Sequence, residues 1–140
     1  MKRVLFAIVL AAAGCSKSSG PDPAALEAAG AKVDDHVSIA DLTQWVAHGA
    51  CKAVDANGDG TREHMGTIPG AIRLTDYRTY DLSELPSDKT TRLVFYCANE
   101  QCGASHTAAA RAVIAGYTDV HVFKGGIAGW KNAGNTTQPL

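Results

Sequence analysis

The chain has 140 residues, 46% of them apolar, and a formal net charge of −1. This is enough chain for one domain with a real core. The balanced charge argues against nucleic acid or a strongly charged partner, and no stretch has the length of a conventional membrane-spanning helix.

Met1-Lys2-Arg3 is a basic start, and Val4 to Ala13 is an apolar run of signal-peptide length. It closes on Ala12-Ala13-Gly14-Cys15, which resembles a lipobox, the cleavage and lipidation site of bacterial lipoproteins. Ala12 departs from the pattern, which prefers Leu there. The resemblance implies a leader over 1–14, a lipid on Cys15 and a membrane anchor in the cell envelope. Ser16 after Cys15, rather than Asp, implies an outer-membrane anchor facing the periplasm in a Gram-negative cell. The alternative is ordinary secretory cleavage, with a secreted or periplasmic product. Residues 15–33 read as a flexible tether: Ser16 to Pro23 cannot bury a core, and Ala24 to Ala31 suits only a short, unstable helix. A folded domain is expected over 34–135, with a tail at 136–140.

Ser38 opens a helical pattern in which Ile39, Leu42, Trp45 and Val46 share one face. Ser38 and Asp41 resemble a capping box, and Gly49 is a natural stop. Cys51 to Asp55 reads as a strand, and the polar, Gly-rich stretch from Ala56 to Gly66 as a loop. Ile68-Pro69-Gly70-Ala71 is a turn into a strand at Ile72 to Leu74. Tyr77 to Asp88 is irregular or weakly helical. Arg92 to Tyr96 is the most hydrophobic strand and is expected at the sheet centre. Thr107 to Ala115 is a helix closed by Gly116, Val120 to Phe123 a strand, Gly125-Gly126 a turn and Ile127 to Asn132 a short helix. Strands alternating with helices predict an α/β fold with a mostly parallel sheet.

Sites in such sheets form at the carboxyl ends of the strands, and Cys97 lies at one. The order strand, cysteine, polar loop, helix places the thiol against a helix N-terminus. The helix dipole and unpaired N–H groups there favour the thiolate, the reactive form. Cys51, at the start of its strand, should lie roughly 10 Å or more from Cys97 if the strands run parallel, at about 3.3 Å per residue. It reads as a small core residue.

Three separated pieces resemble the rhodanese-like family. Val54-Asp55 with His64-Met65-Gly66-Thr67-Ile68-Pro69-Gly70-Ala71 resembles its first signature. Phe95-Tyr96-Cys97 resembles the strand and catalytic cysteine, and Val122 to Trp130, with Gly125-Gly126-Ile127, the C-terminal motif. The resemblance implies a central, mostly parallel five-stranded sheet flanked by helices. It also implies sulfane-sulfur transfer through a Cys97 persulfide, without a cofactor. The active-site loop is then Ala98, Asn99, Glu100, Gln101, Cys102, Gly103, Ala104 and Ser105, with N–H groups from Asn99 to Ser105 cradling the sulfur.

The loop departs from the family pattern. A sulfurtransferase loop carries Arg five residues after the cysteine, where this chain has Cys102. The segment also looks about two residues longer, as in relatives acting on phosphate or arsenate. Those need a loop arginine to grip the oxyanion, so neither activity is expected here. Cys102 could resolve Cys97 as a disulfide, accept sulfur itself, or simply replace the arginine. Asp55 is expected to organise the neighbouring loop, His64 to approach the site mouth and His106 to tune Cys97. Asn57 stands near another usual arginine. Asp55 to Gly60 matches the start of a calcium loop, but its twelfth position is Gly66 where a Glu is needed, so no metal is expected.

The leading expectation is a sulfurtransferase or sulfur carrier with a small sulfur-containing donor and a thiol acceptor. The alternatives are a thiol–disulfide module using Cys97 and Cys102, and a non-catalytic binding domain.

Overall fold

A computed structural model describes residues 20–140. The expected leader and Cys15 lie outside the described residues. No helix among the described residues is long and apolar enough to cross a membrane. In chain order the elements are α1 (Pro23–Gly30), α2 (Ile39–Ala47), β1 (Lys52–Asp55), α3 (Asp59–Met65), β2 (Ile72–Arg73), β3 (Leu93–Tyr96), α4 (Ala104–Ile114), β4 (Val120–Val122) and α5 (Gly126–Asn132). Between β2 and β3 the helical structure is a single 3-10 turn at Leu82–Glu84.

The strands form a parallel sheet in the order β2-β1-β3-β4. β3 is central and buried on both faces, as its unbroken apolar sequence predicts. Successive side chains on a strand face opposite ways, and this sorts the core. Leu93 and Phe95 pack with Ala108, Ala109 and Ala112 of α4. Val94 and Tyr96 pack with Leu42 of α2 and Ile127 and Trp130 of α5. The small alanines let α4 lie close to the sheet.

The described sheet has four strands rather than five. The missing strand is reduced to one residue pair, Asp34 with His121 beyond β4. Asp34 donates its N–H to Val120 O (3.2 Å) and accepts from Val122 N–H (2.8 Å). Asp34 and Asp35 are poor strand formers, and Ser38 already caps α2, accepting from Asp41 N–H at 3.1 Å. Too little chain is left to extend the ladder. Upstream, α1 is not loose: it packs on α4 and buries Ala29. The tail is also tied down, since Gln138 and Thr67 exchange backbone hydrogen bonds of 2.9 and 2.8 Å.

The expected loop at 56–66 contains α3 instead. Its organiser is Arg62, only 5% exposed. Its Nη2 donates to Asp55 O (3.0 Å) and Leu74 O (2.8 Å), and its Nη1 to Asp59 Oδ1 (3.2 Å). Nε lies 3.6 Å from Asp55 Oδ1, an ion pair without a hydrogen bond. Tertiary contacts thus make a helix from a sequence with weak helical propensity. The Ile68–Ala71 turn is as expected: Ala71 N–H reaches Ile68 O at 3.0 Å, and Gly70 takes φ +75° after Pro69, a type II turn.

Two predictions follow from this packing. Arg62→Ala leaves the Asp55 carboxylate buried without its cation and strips two carbonyls of a donor. A loss of about 3–5 kcal/mol is expected in urea unfolding, with Arg62→Lys rescuing little because one ammonium cannot span the same acceptors. The second concerns alkaline pH. Burial pushes the Tyr80 and Tyr96 hydroxyls above the tyrosine range, with the Asp55 charge adding to it at Tyr96, and pushes the Cys51 thiol up to about 11. In the unfolded chain these groups lose protons near their ordinary values, about 8.5 for Cys and 10 for Tyr. Above those values the folded chain holds protons that the unfolded chain has lost, so stability falls as pH rises. Melting temperature should decline from about pH 8.5 upward, less steeply in Tyr96→Phe, where one of these groups is gone.

Candidate active site

Cys97 follows β3 directly, on the Leu93–Phe95 face, and so beneath the start of α4. It is 2% exposed. α4 begins at Ala104, three residues earlier than the sequence suggests, because Gly103 and Ala104 run on from the loop with no capping side chain to mark the start. The first turn therefore holds Ala104, Ser105 and His106, whose N–H groups have no partner within the helix. No acidic residue occupies that turn, so the helix itself carries no carboxylate at the positive end of its dipole.

Cys97 is joined to Cys102 by a disulfide, with a Cα separation of 6.2 Å. The Ser105 hydroxyl, itself buried, lies 3.4 Å from Cys97 Sγ. Cys102 is half-buried and lines a cavity of about 290 Å³. Ala56, Asn57, Gly58, Thr61, Tyr77 and Asp76 are among the other lining residues, and Asp76 is the charged one. The Arg78 N–H holds its carboxyl below the usual carboxylate range, with the Thr79 N–H acting in the same sense. Among the described residues, no arginine, lysine or histidine lines this cavity.

Asp55 shapes the cavity wall from below. It is fully buried, accepts from Asn57 N–H (2.8 Å) and the Tyr96 hydroxyl (2.8 Å), and pairs with Arg62. The Tyr96 oxygen in turn accepts from Ile68 N–H at 3.0 Å. The first signature and the cysteine strand are thus one hydrogen-bonded unit, and Asp55 accepts the Asn57 N–H of the adjoining loop.

The loop is divided. Cys102 N–H donates to Asn99 O (3.1 Å) and Gln101 N–H to Asn99 Oδ1 (3.1 Å), an Asx turn that consumes two of the N–H groups expected in the cradle. Asn99, Glu100 and Gln101 instead border a shallow surface with Gly125, Ala128 and Gly129. Ala98, Cys102 and Ala104 face the larger cavity. His64 is exposed on α3 and does not line it. His106 points its Nε2 toward Asp35 Oδ2 (3.5 Å), which Lys124 also meets at 2.7 Å. Cys51 precedes β1 at the amino end of the sheet, because Lys52 pairs with Leu93 and Asp55 with Tyr96.

Sequence reasoning missed Arg62 and the reason for Gly126; Ser105, named as a loop residue, stands in the first turn of α4. Arg62's one sequence signal is its spacing from Asp59, a weak helical pair. Gly126 takes φ +62°, and a Cβ there would sit 2.6 Å from the Cys97 carbonyl oxygen. Its absence lets Ile127 and Ala128 donate their N–H groups to Cys97 O (2.8 Å) and Ala98 O (3.0 Å). Gly126→Ala should therefore shift the loop and slow thiol labelling or sulfur loading at Cys97, with a drop in melting temperature. Unchanged Cys97 reactivity would show that α5 does not position the loop.

The sequence matches the model of the rhodanese-like domain over residues 38–133. No curated protein matches it. Among solved structures, the polysulfide-sulfur transferase homodimer of Wolinella succinogenes is similar at 16% identity and a TM-score of 0.65, with 84% of this chain and 86% of that one covered. The human single-domain sulfurtransferase is similar at 20% identity and 0.53, covering 69% and 94%. A Rhodopseudomonas palustris protein of unknown function, described as a possible tyrosine phosphatase, is similar at 23% and 0.64, covering 82% and 92%. These likenesses show the fold, and the family match over most of the chain shows that it belongs to the rhodanese-like domain family.

Proposed function

We propose that the domain takes a sulfane sulfur onto Cys97 and passes it to a thiol. The observation that carries this reading is the placement of Cys97, buried at the carboxyl end of β3 under an α4 N-terminus whose first turn holds no acidic residue. The Cys97 thiolate attacks the donor sulfur, the donor fragment leaves, and the persulfide is held by the first-turn N–H groups and Ser105. An acceptor thiolate then attacks the outer sulfur and regenerates Cys97.

The lining of the cavity narrows the donor class. Thiosulfate carries two negative charges and meets no cation there, but does meet the Asp76 carboxylate. An organic persulfide carries one charge at most, and a polysulfide chain spreads its charge over large, weakly hydrated sulfur atoms with no oxyanion oxygens to satisfy, so either suits the site better. The Wolinella protein of this fold is a polysulfide-sulfur transferase, which agrees with that preference. The setting proposed is the cell envelope, with Cys15 as the lipid-bearing residue.

The disulfide favours a second reading, a dithiol that exchanges with partner thiols. The two separate on reduced chain treated with inorganic polysulfide, followed by peptide mass mapping. Gain of one sulfur on Cys97 in Cys102→Ser, removable by cyanide and absent when Cys97 is also replaced by Ser, is expected. Failure of Cys97 to gain sulfur even in Cys102→Ser would remove sulfur transfer and leave dithiol exchange or binding.

A further inference from the structure

We infer that Cys102 is a resolving cysteine that discharges the Cys97 persulfide as hydrogen sulfide, so that the domain reduces sulfane sulfur at the expense of external thiols. This rests on the reading that Cys97 carries the sulfur.

Proximity is the first argument. The two cysteines reach bonding distance while the loop keeps its own hydrogen bonds, with Cys102 N–H on Asn99 O. The turn that removed two N–H groups from the cradle is the same turn that holds Cys102 over Cys97. The loop has lost anion-binding capacity and gained a second sulfur.

Asymmetry is the second argument. Thiol–disulfide exchange depends on which sulfur can be reached and which leaves more readily. Cys102 faces the cavity, whereas Cys97 is sealed below it. An incoming thiolate therefore meets Cys102. The sulfur it expels is Cys97, which leaves as a thiolate beside the Ser105 hydroxyl and the α4 N-terminus. Reopening the disulfide thus returns the nucleophile in its reactive form. Cys51 cannot take this role, since it lies at the opposite end of the sheet.

The steps balance. Cys97 thiolate and a polysulfide give the Cys97 persulfide and a polysulfide one sulfur shorter. Cys102 thiolate attacks Cys97 Sγ, forming the disulfide and expelling hydrosulfide. The sulfane sulfur gains two electrons and the two cysteine sulfurs lose one each. Two molecules of a small thiol then reduce the disulfide. The first forms a mixed disulfide with Cys102 and releases Cys97, and the second frees Cys102 and leaves as the oxidised thiol dimer.

The test uses the full chain, reduced and kept free of oxygen, so that added polysulfide is the only oxidant. One equivalent of inorganic polysulfide is added, thiols are trapped by alkylation over time, and peptides are mapped by mass. In the wild type a Cys97–Cys102 disulfide should replace a short-lived Cys97 persulfide. In Cys102→Ser and Cys102→Ala the persulfide should persist at least about tenfold longer and release sulfide only when a small thiol is added, because the attacking group is no longer held in place. Melting curves of both variants establish that the fold is kept. A wild-type persulfide that persists beside an alkylated Cys102 would overturn the proposal. Sulfur mapped onto Cys102 would also overturn it, making that residue a relay. If Cys97 takes no sulfur in either variant, the sulfur-transfer reading itself fails, which is a separate outcome.

Discussion

The buried contact between Asp55 and Arg62 is the constraint on which the rest of the site depends. A carboxylate with no solvent exposure is tolerated only with a cation and hydrogen bonds around it. Meeting that need draws in α3 through Arg62, the end of β2 through the carbonyl of Leu74 just after it, and β3 through the Tyr96 hydroxyl. The β1–α3 loop, anchored by Asn57 N–H, becomes a fixed wall of the cavity. The helix and the wall are results of settling one charge, not independent preferences of their sequences.

The second constraint is the pleat. Because alternate residues of β3 face opposite layers, Cys97 falls on the α4 side and Tyr96 on the other. One residue of register slip would exchange them, sending the thiol toward α5 and the tyrosine hydroxyl away from Asp55. α5 then fixes the loop from the far side by bonding to the Cys97 and Ala98 carbonyls. Cys97 is held by its strand, by the helix above it and by the glycine that lets α5 approach.

Much of this was legible in the sequence where the signal is local. The apolar run at β3, the Pro69-Gly70 turn and the Ser38 cap each act through nearest neighbours, and each is found where expected. Cys97 at a strand end was visible for the same reason. What stayed hidden depends on contacts distant along the chain. Nothing near Arg62 shows that its partners include a carbonyl at Leu74, so the stretch reads as a loop in sequence and is a helix in the fold. The Asx turn at Asn99 removes part of the cradle in a way that residue types alone do not reveal. A fifth strand was inferred from resemblance, and Asp34 reduces it to one bridge. The cysteine spacing was compatible with bonded or separate thiols, and only the folded loop distinguishes them.

The truncated margins of the sheet have a consequence of their own. A parallel sheet with a bare border offers a row of unpaired N–H and C=O groups to any passing chain. Here one border is β2, two residues long, and the other is β4, three residues long. Beside β4, His121 is gripped by Asp34 and Asp119, which sets charge along that border. A neighbouring copy finds too short a template to add a strand and meets carboxylates where it would need to dock. The sheet therefore ends at its own margins, with little backbone left to template a further strand.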